Sequence, residues 1–165
     1  MQANAIPRAG GSKALGEETL AQAPKTYLWR LRIPFDEKDN ARNYLSKIQR
    51  YSKVYDNANS ISHRADFASA CLDLWHVGAP FGTYNITNPG FVTTRQVVEL
   101  IQRHLTPSRR FEFWASDEEF YRVAAKTPRS NCIMDSSKLL ATGVRIRSVE
   151  EALADSLTRW IPEPK

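Results

Sequence analysis

Cysteine, histidine and arginine are the residues here whose chemistry depends most on spacing. The two cysteines, Cys71 and Cys132, form no Cys-x-x-Cys pair, so neither a thiolate zinc site nor a dithiol redox centre is indicated. Cys71 falls inside an apolar helical pattern, where a buried thiol behaves as a small hydrophobe. His63, His76 and His104 lack metal-ligand spacing, and no metal site is expected. The guanidinium groups are denser, at Arg30/Arg32, Arg109/Arg110 and Arg145/Arg147. Such pairs are ordinary on a solvated face, yet they also suit phosphate-bearing ligands, which arginine grips with two hydrogen bonds at once. Nucleic acid fits less well, because zinc-finger spacing, a glycine-rich RNA signature and a long basic run are all missing.

The elements that must position these groups follow from composition and periodicity. At 165 residues, 42% apolar and 25% charged, the sequence suits one ordinary globular domain that needs no disulfide scaffold. The net charge of +5 is modest and its carriers are interleaved with acids. No apolar run reaches the roughly 20 residues that span a bilayer, and Met1–Gly11 has no signal-peptide core. The expectation is a cytoplasmic protein without a membrane partner.

Residues 1–11 read as irregular and Lys13–Ala23 as a helix capped by Ser12. Tyr27–Ile33 has the composition of an interior strand, with Arg30 and Arg32 on one face. Helices are expected over Ala41–Tyr51, from an Asp66 cap to Val77, and from Thr93 or Thr94 through His104. Val54–Ser62 is short strand or loop, Gly82–Thr87 a strand, Asn88-Pro89-Gly90 a turn and Arg110–Trp114 a strand. Ser116–Phe120 and Ser136–Ala141 read as short helices, and Ser148–Trp160 as a long amphipathic one. Tyr84 and Trp75 read as core residues. Strands alternating with helices indicate an α/β chain.

Several segments, in order, resemble one family. Gly11-Ser12-Lys13-Ala14-Leu15-Gly16-Glu17-Glu18 resembles the second half of the Tyr-x-x-x-Lys helix of short-chain dehydrogenase/reductases, and Leu31-Arg32-Ile33-Pro34 the strand end that follows it. Asn40–Ile48 (NARNYLSKI), Tyr84–Gly90 (YNITNPG) and Pro128–Leu139 (PRSNCIMDSSKL) resemble segments of rhamnose-synthesis reductases. The resemblance covers about residues 11–161 and points to the extended branch of the family, nearest the 3,5-epimerase/4-reductases of 4-keto-6-deoxy sugar nucleotides, with dTDP-4-dehydrorhamnose reductases as broader relatives.

This resemblance implies a fold class: the C-terminal part of a Rossmann-like doubly wound sheet plus the smaller mixed α/β substrate-binding lobe, together over residues 12–165. It implies Lys13 as the catalytic lysine, which holds the nicotinamide ribose, with Ala9 standing where the catalytic tyrosine belongs. Arg42, Asn43, Tyr44, Arg129 and Asn131 become substrate-binding candidates, and Lys13, Ile33 and Pro34 cofactor-binding ones. The intact family uses NAD or NADP. The glycine-rich loop that binds the pyrophosphate is absent from this sequence, so no cofactor is expected to bind this chain alone.

The implied function is that of a truncated nucleotide-sugar reductase/epimerase, inactive alone, with a dTDP- or UDP-linked sugar as ligand and a separate Rossmann half or self-association as partner. A non-catalytic sugar-nucleotide or interaction module remains the alternative, and a basic RNA-binding domain a weaker one. A solvated role for Lys13, capping or solvated roles for Arg42 and Asn43, and a loop-to-core hydrogen bond for Arg129 and Asn131 remain open beside the functional ones.

Overall fold

The computed structural model describes residues 11–20, 23–125 and 131–164. Two hydrophobic cores organise them, one around a parallel strand pair and one among three capped helices.

The first region starts with helix α1 (Gly11–Leu20) and strand β1 (Tyr27–Arg30). The aromatic and aliphatic side chains of β1 favour extended backbone. It pairs in parallel with β6 (Gly82–Asn85), from Tyr27↔Gly82 to Arg30↔Asn85. Parallel neighbours need a long crossover, and helix α3 (Arg64–His76) lies in it. Ala70, Cys71 and Leu74 of α3 pack with Tyr84, Ile86, Leu139 and Val144. The short helix α6 (Ser137–Leu140) contributes Leu139 to this core.

The second region is larger. Helix α2 (Tyr44–Arg50) supplies Leu45 and Ile48, α4 (Thr94–His104) supplies Val97, Val98 and Ile101, and α7 (Val149–Thr158) supplies Val149, Ala152, Leu153 and Leu157. Phe35, Val54, Ile61 and Val92 complete the core from short strands. Those strands are β2 (Pro34–Phe35) parallel to β5 (Ser62–His63), β3 (Lys53–Val54) parallel to β8 (Glu112–Phe113), and β4 (Ala58–Asn59) antiparallel to β7 (Val92–Thr93). Thr93 with Gln96 caps α4, and Ser148 with Glu151 caps α7; each pair satisfies two backbone N–H groups reciprocally. Helix α5 (Asp117–Val123) lies after β8.

A polar node joins the regions. Asn88, fully buried, accepts from the His63 N–H and donates to Asp66 and to the Arg147 carbonyl. Gly90 follows at φ 97°, and a Cβ there would stand 3.1 Å from Val149, so glycine closes the turn.

Several elements differ from expectation. The first strand stops at Arg30, because Ile33 adopts φ 42° and the Arg32 N–H turns to the Ser62 hydroxyl. Arg30 and Arg32 therefore diverge, one to Glu17 and the other to Asn59. The second helix starts at Tyr44 rather than Ala41, since the Asn40 side chain holds the Arg42 N–H in a turn. His63, not Asp66, caps α3; Asp66 sits in its first turn and reaches Arg147. Tyr84 is core, but Trp75 is 64% exposed. The irregular segment expected over residues 1–11 falls almost wholly outside the described residues.

Candidate functional site

The turn at Ile33 opens one side of a groove of about 760 Å³. A β-branched residue at positive φ is sterically costly, and neighbouring contacts hold this one: Arg32 is tied to Ser62, and Pro34 begins the strand paired to β5. Ile33 and Pro34 both line the groove. Helix α2 delivers Arg42, Tyr44 and Lys47 to it, and β3 with the chain beyond delivers Lys53 and Tyr55. Trp114 and Phe120 close the far part, where the Tyr55 and Phe120 rings stack at 4.0 Å.

The groove is electropositive. Arg32, Arg42, Lys47 and Lys53 line it, and among the described residues no carboxylate does. Lys53 is compensated by Glu119 at 3.0 Å and lies 4.5 Å over the Trp114 ring. Among the described residues, the side chains of Arg32, Arg42 and Lys47 have no carboxylate within ion-pair distance. The tyrosines add no negative charge. Burial pushes the Tyr44 phenol up, against a hydrogen bond with Thr94. Tyr55 is raised well above the ordinary value by hydrogen bonding with Tyr121, by desolvation and by Asp117. Both stay protonated at neutral pH. Cations, phenols and aromatic rings in one cleft suit an anionic ligand that also carries rings.

The sequence-derived candidates divide. Ile33, Pro34, Arg42 and Tyr44 are brought together in the groove. Asn43 is not: it is fully buried as the N-cap of α2, its oxygen accepting from the Leu45 N–H and its amide donating to Asp36 and to the Lys38 carbonyl. Each polar atom of the Asn43 side chain thus has a partner inside the fold. Asn131 does not line the groove; its side-chain oxygen accepts from the Ala58 N–H, beside the bridge between Asn59 and Cys132. Lys13 is exposed on α1, away from the groove lining. Arg129 and Ala9 lie outside the described residues.

Sequence reasoning missed Lys47, Lys53, Tyr55, Trp114 and Phe120 as groove residues, and Arg32 only entered as one of a basic pair. Lys47 carried a signal, since it falls one helical turn after Arg42–Tyr44. Trp114 and Lys53 meet through the β3–β8 pairing across 61 residues, which no local pattern announces.

The chain has known relatives. No protein-family model matches it. It is 30% identical over 154 residues to a bifunctional dTDP-4-dehydrorhamnose 3,5-epimerase/reductase of Arabidopsis thaliana, over 93% of this chain and 49% of that protein. Its fold superposes on the UDP-rhamnose synthase of Acanthamoeba polyphaga mimivirus with a TM-score of 0.80 at 21% identity, covering 94% of this chain and 54% of the other. The dTDP-4-dehydrorhamnose reductase of Bacillus anthracis, solved with NADP, gives 0.68 at 20% identity over 92% and 53%. The chain thus spans about half the length of these relatives. Over nearly its whole length it is similar to about half of each of these nucleotide-sugar epimerases and reductases, and it shares their fold.

Proposed function

We propose that residues 12–165 comprise a Rossmann remnant and the substrate-binding lobe of such an enzyme, and that the groove holds a UDP- or dTDP-linked 4-keto-6-deoxy sugar. The observation that carries this reading is the groove's charge: four lining cations and, among the described residues, no carboxylate partner for three of them and no lining acid. A diphosphate would meet Arg42 and Lys47 from α2, with contacts worth roughly 1.5–3 kcal/mol each when well ordered. The aromatic side at Trp114 and Phe120 offers ring faces to the nucleoside, and Tyr44 a hydroxyl to the sugar. Arg129 is proposed as a further ligand contact from its place in the family-like segment; Asn131, whose side-chain oxygen accepts from the Ala58 N–H, is proposed to offer its amide N–H groups. The Arabidopsis relative, named for dTDP-4-dehydrorhamnose, supports this ligand class.

The residues present do not fit a whole dinucleotide. In this fold class the pyrophosphate lies on a glycine-rich turn between a parallel strand and a helix. Here β5 runs directly into α3 and β7 into α4 without a glycine. Only Lys13 and the Ile33–Pro34 turn remain as candidates for the nicotinamide end of NAD or NADP. With alanine at position 9 as well, no tyrosine precedes Lys13 to protonate a sugar carbonyl. The chain on its own is therefore proposed to bind and not to turn over.

Ligand-observed NMR with UDP-glucose, glucose and a short RNA tests the reading. UDP-glucose binds on the order of millimolar, glucose does not, and replacing Arg42 and Lys47 together by alanine weakens binding about tenfold or more. RNA binding tighter than UDP-glucose, with a steep salt dependence, would overturn it.

A further inference from the structure

Of the three cations without a carboxylate, Arg32 is held most firmly. Its backbone N–H donates to the Ser62 hydroxyl at 3.1 Å, and that hydroxyl, almost wholly buried, donates on to the Ile86 carbonyl at 2.9 Å. Its guanidinium donates twice to one atom, Oδ1 of Asn59, from Nε at 3.2 Å and from Nη2 at 2.5 Å. Asn59 is 4% exposed and fixed from two sides, antiparallel to Val92 in β7 and bridged to Cys132. The next residue is Ile33, at φ 42°. Both Arg32 and Asn59 line the groove.

The chemistry of the clamp matters more than its existence. A buried arginine fork is commonly met by a carboxylate, which orients it and cancels its charge. An amide oxygen orients the same two N–H groups and leaves the full positive charge in place. Holding a long side chain still in advance removes an ordering cost from ligand binding. Arg42 and Lys47, by contrast, have no side-chain partner among the described residues and must be ordered by the ligand.

We propose that Arg32 is the pre-organised anion anchor of the groove and that Asn59 is its positioning residue, chosen as an amide so that the guanidinium keeps its charge for the ligand. This inference rests on the sugar-nucleotide reading of the groove and adds which residue fixes the diphosphate. The N–H groups not directed at Asn59 are the ones offered to a phosphate oxygen.

The isosteric substitution Asn59→Asp separates orientation from charge. It keeps an oxygen in the same place for Nε and Nη2 but neutralises Arg32 and adds a negative charge to the groove. Dissociation constants for UDP-glucose and for uridine, measured by ligand-observed NMR on the full chain, give the comparison, with thermal melting to confirm folding. Asn59→Asp is expected to melt near the unsubstituted chain, weaken UDP-glucose at least about tenfold, and leave uridine unchanged. Arg32→Lys, which keeps the charge and loses the fork, is expected to weaken UDP-glucose by a smaller factor. Unchanged UDP-glucose affinity in both variants overturns the assignment and leaves the groove's function standing. Failure of the unsubstituted chain to bind UDP-glucose removes the reading of the groove, and this inference with it.

Discussion

The two regions of this molecule bury their apolar side chains to different degrees. The lobe of α2, α4 and α7 buries thirteen side chains in one cluster, and both long helices in it carry reciprocal caps. The β1–β6 region buries eight, and large apolar side chains around it face solvent: Leu15, Leu20, Trp29, Leu31, Leu72, Trp75, Val77 and Phe81. Among the described residues β1 pairs on one edge only. An apolar parallel strand with an open edge is a template for further pairing. The lobe of α2, α4 and α7 contributes most of the groove lining, and the β1–β6 region presents the open strand edge.

Opposite substitutions in the two regions sharpen this contrast. Leu153→Ala removes a fully buried side chain from the lobe core and is expected to cost about 2–5 kcal/mol, read from chemical denaturation. Leu72→Ser, on the open face and 60% exposed, is expected to shift stability by no more than about 0.5 kcal/mol while reducing self-association in light scattering. Equal costs, or a chain that stays monomeric over a hundredfold range of concentration, would break the comparison.

The junction between the regions comes next in size. Burial opposes ionisation of Asp66, but the neighbouring His63 imidazole, Arg147 and Asn88 overcome it and hold the carboxyl well below the usual carboxylate range. Arg147 also reaches Asp155 at 2.6 Å. A depressed carboxyl stabilises the fold fully above its unfolded value of about 4, and that contribution is lost as pH falls further. Melting temperature is expected to drop below about pH 4. Arg147→Met is expected to cost about 1–3 kcal/mol at neutral pH by leaving Asp66 short of partners. It should also flatten the acid limb; an unaltered acid limb would show that the junction does not govern it.

Caps give the smallest effect. Ser148→Ala removes the hydroxyl that accepts from the Glu151 N–H, at an expected cost of about 1 kcal/mol in the lobe. No measurable change in its melting would mean that the α7 N-terminus does not limit stability.

How much was legible in the sequence follows the same division. Thr93, Ser116 and Ser148 announced helix starts because a cap is a local device, readable from residues three apart. Asp66 looked like such a cap and was instead an internal partner, since Arg147 lies 81 residues away. Asn43 stood in a family-like segment, where substrate contact and capping were both open, and the structure has it cap α2. Arg42, Tyr44 and Lys47 come to the groove from one short stretch of chain, but Lys53 and Arg32 needed the β3–β8 and β4–β7 pairings to be placed. Trp75 followed the apolar stripe of its helix and is nevertheless exposed, because periodicity identifies a face without saying what covers it.

Competing titrations with UDP-glucose and NADPH on one preparation of the chain test the central claim most directly. The groove and its cations are present, and a glycine-rich pyrophosphate turn is not. Expected is UDP-glucose binding on the order of millimolar, weakened by Arg42→Ala with Arg129→Ala, with NADPH binding more weakly. Expected also is no NADPH oxidation near ~1 per second when a 4-keto-6-deoxy nucleotide sugar is added. Tighter binding of NADPH than of UDP-glucose, or turnover at that rate, would contradict the account.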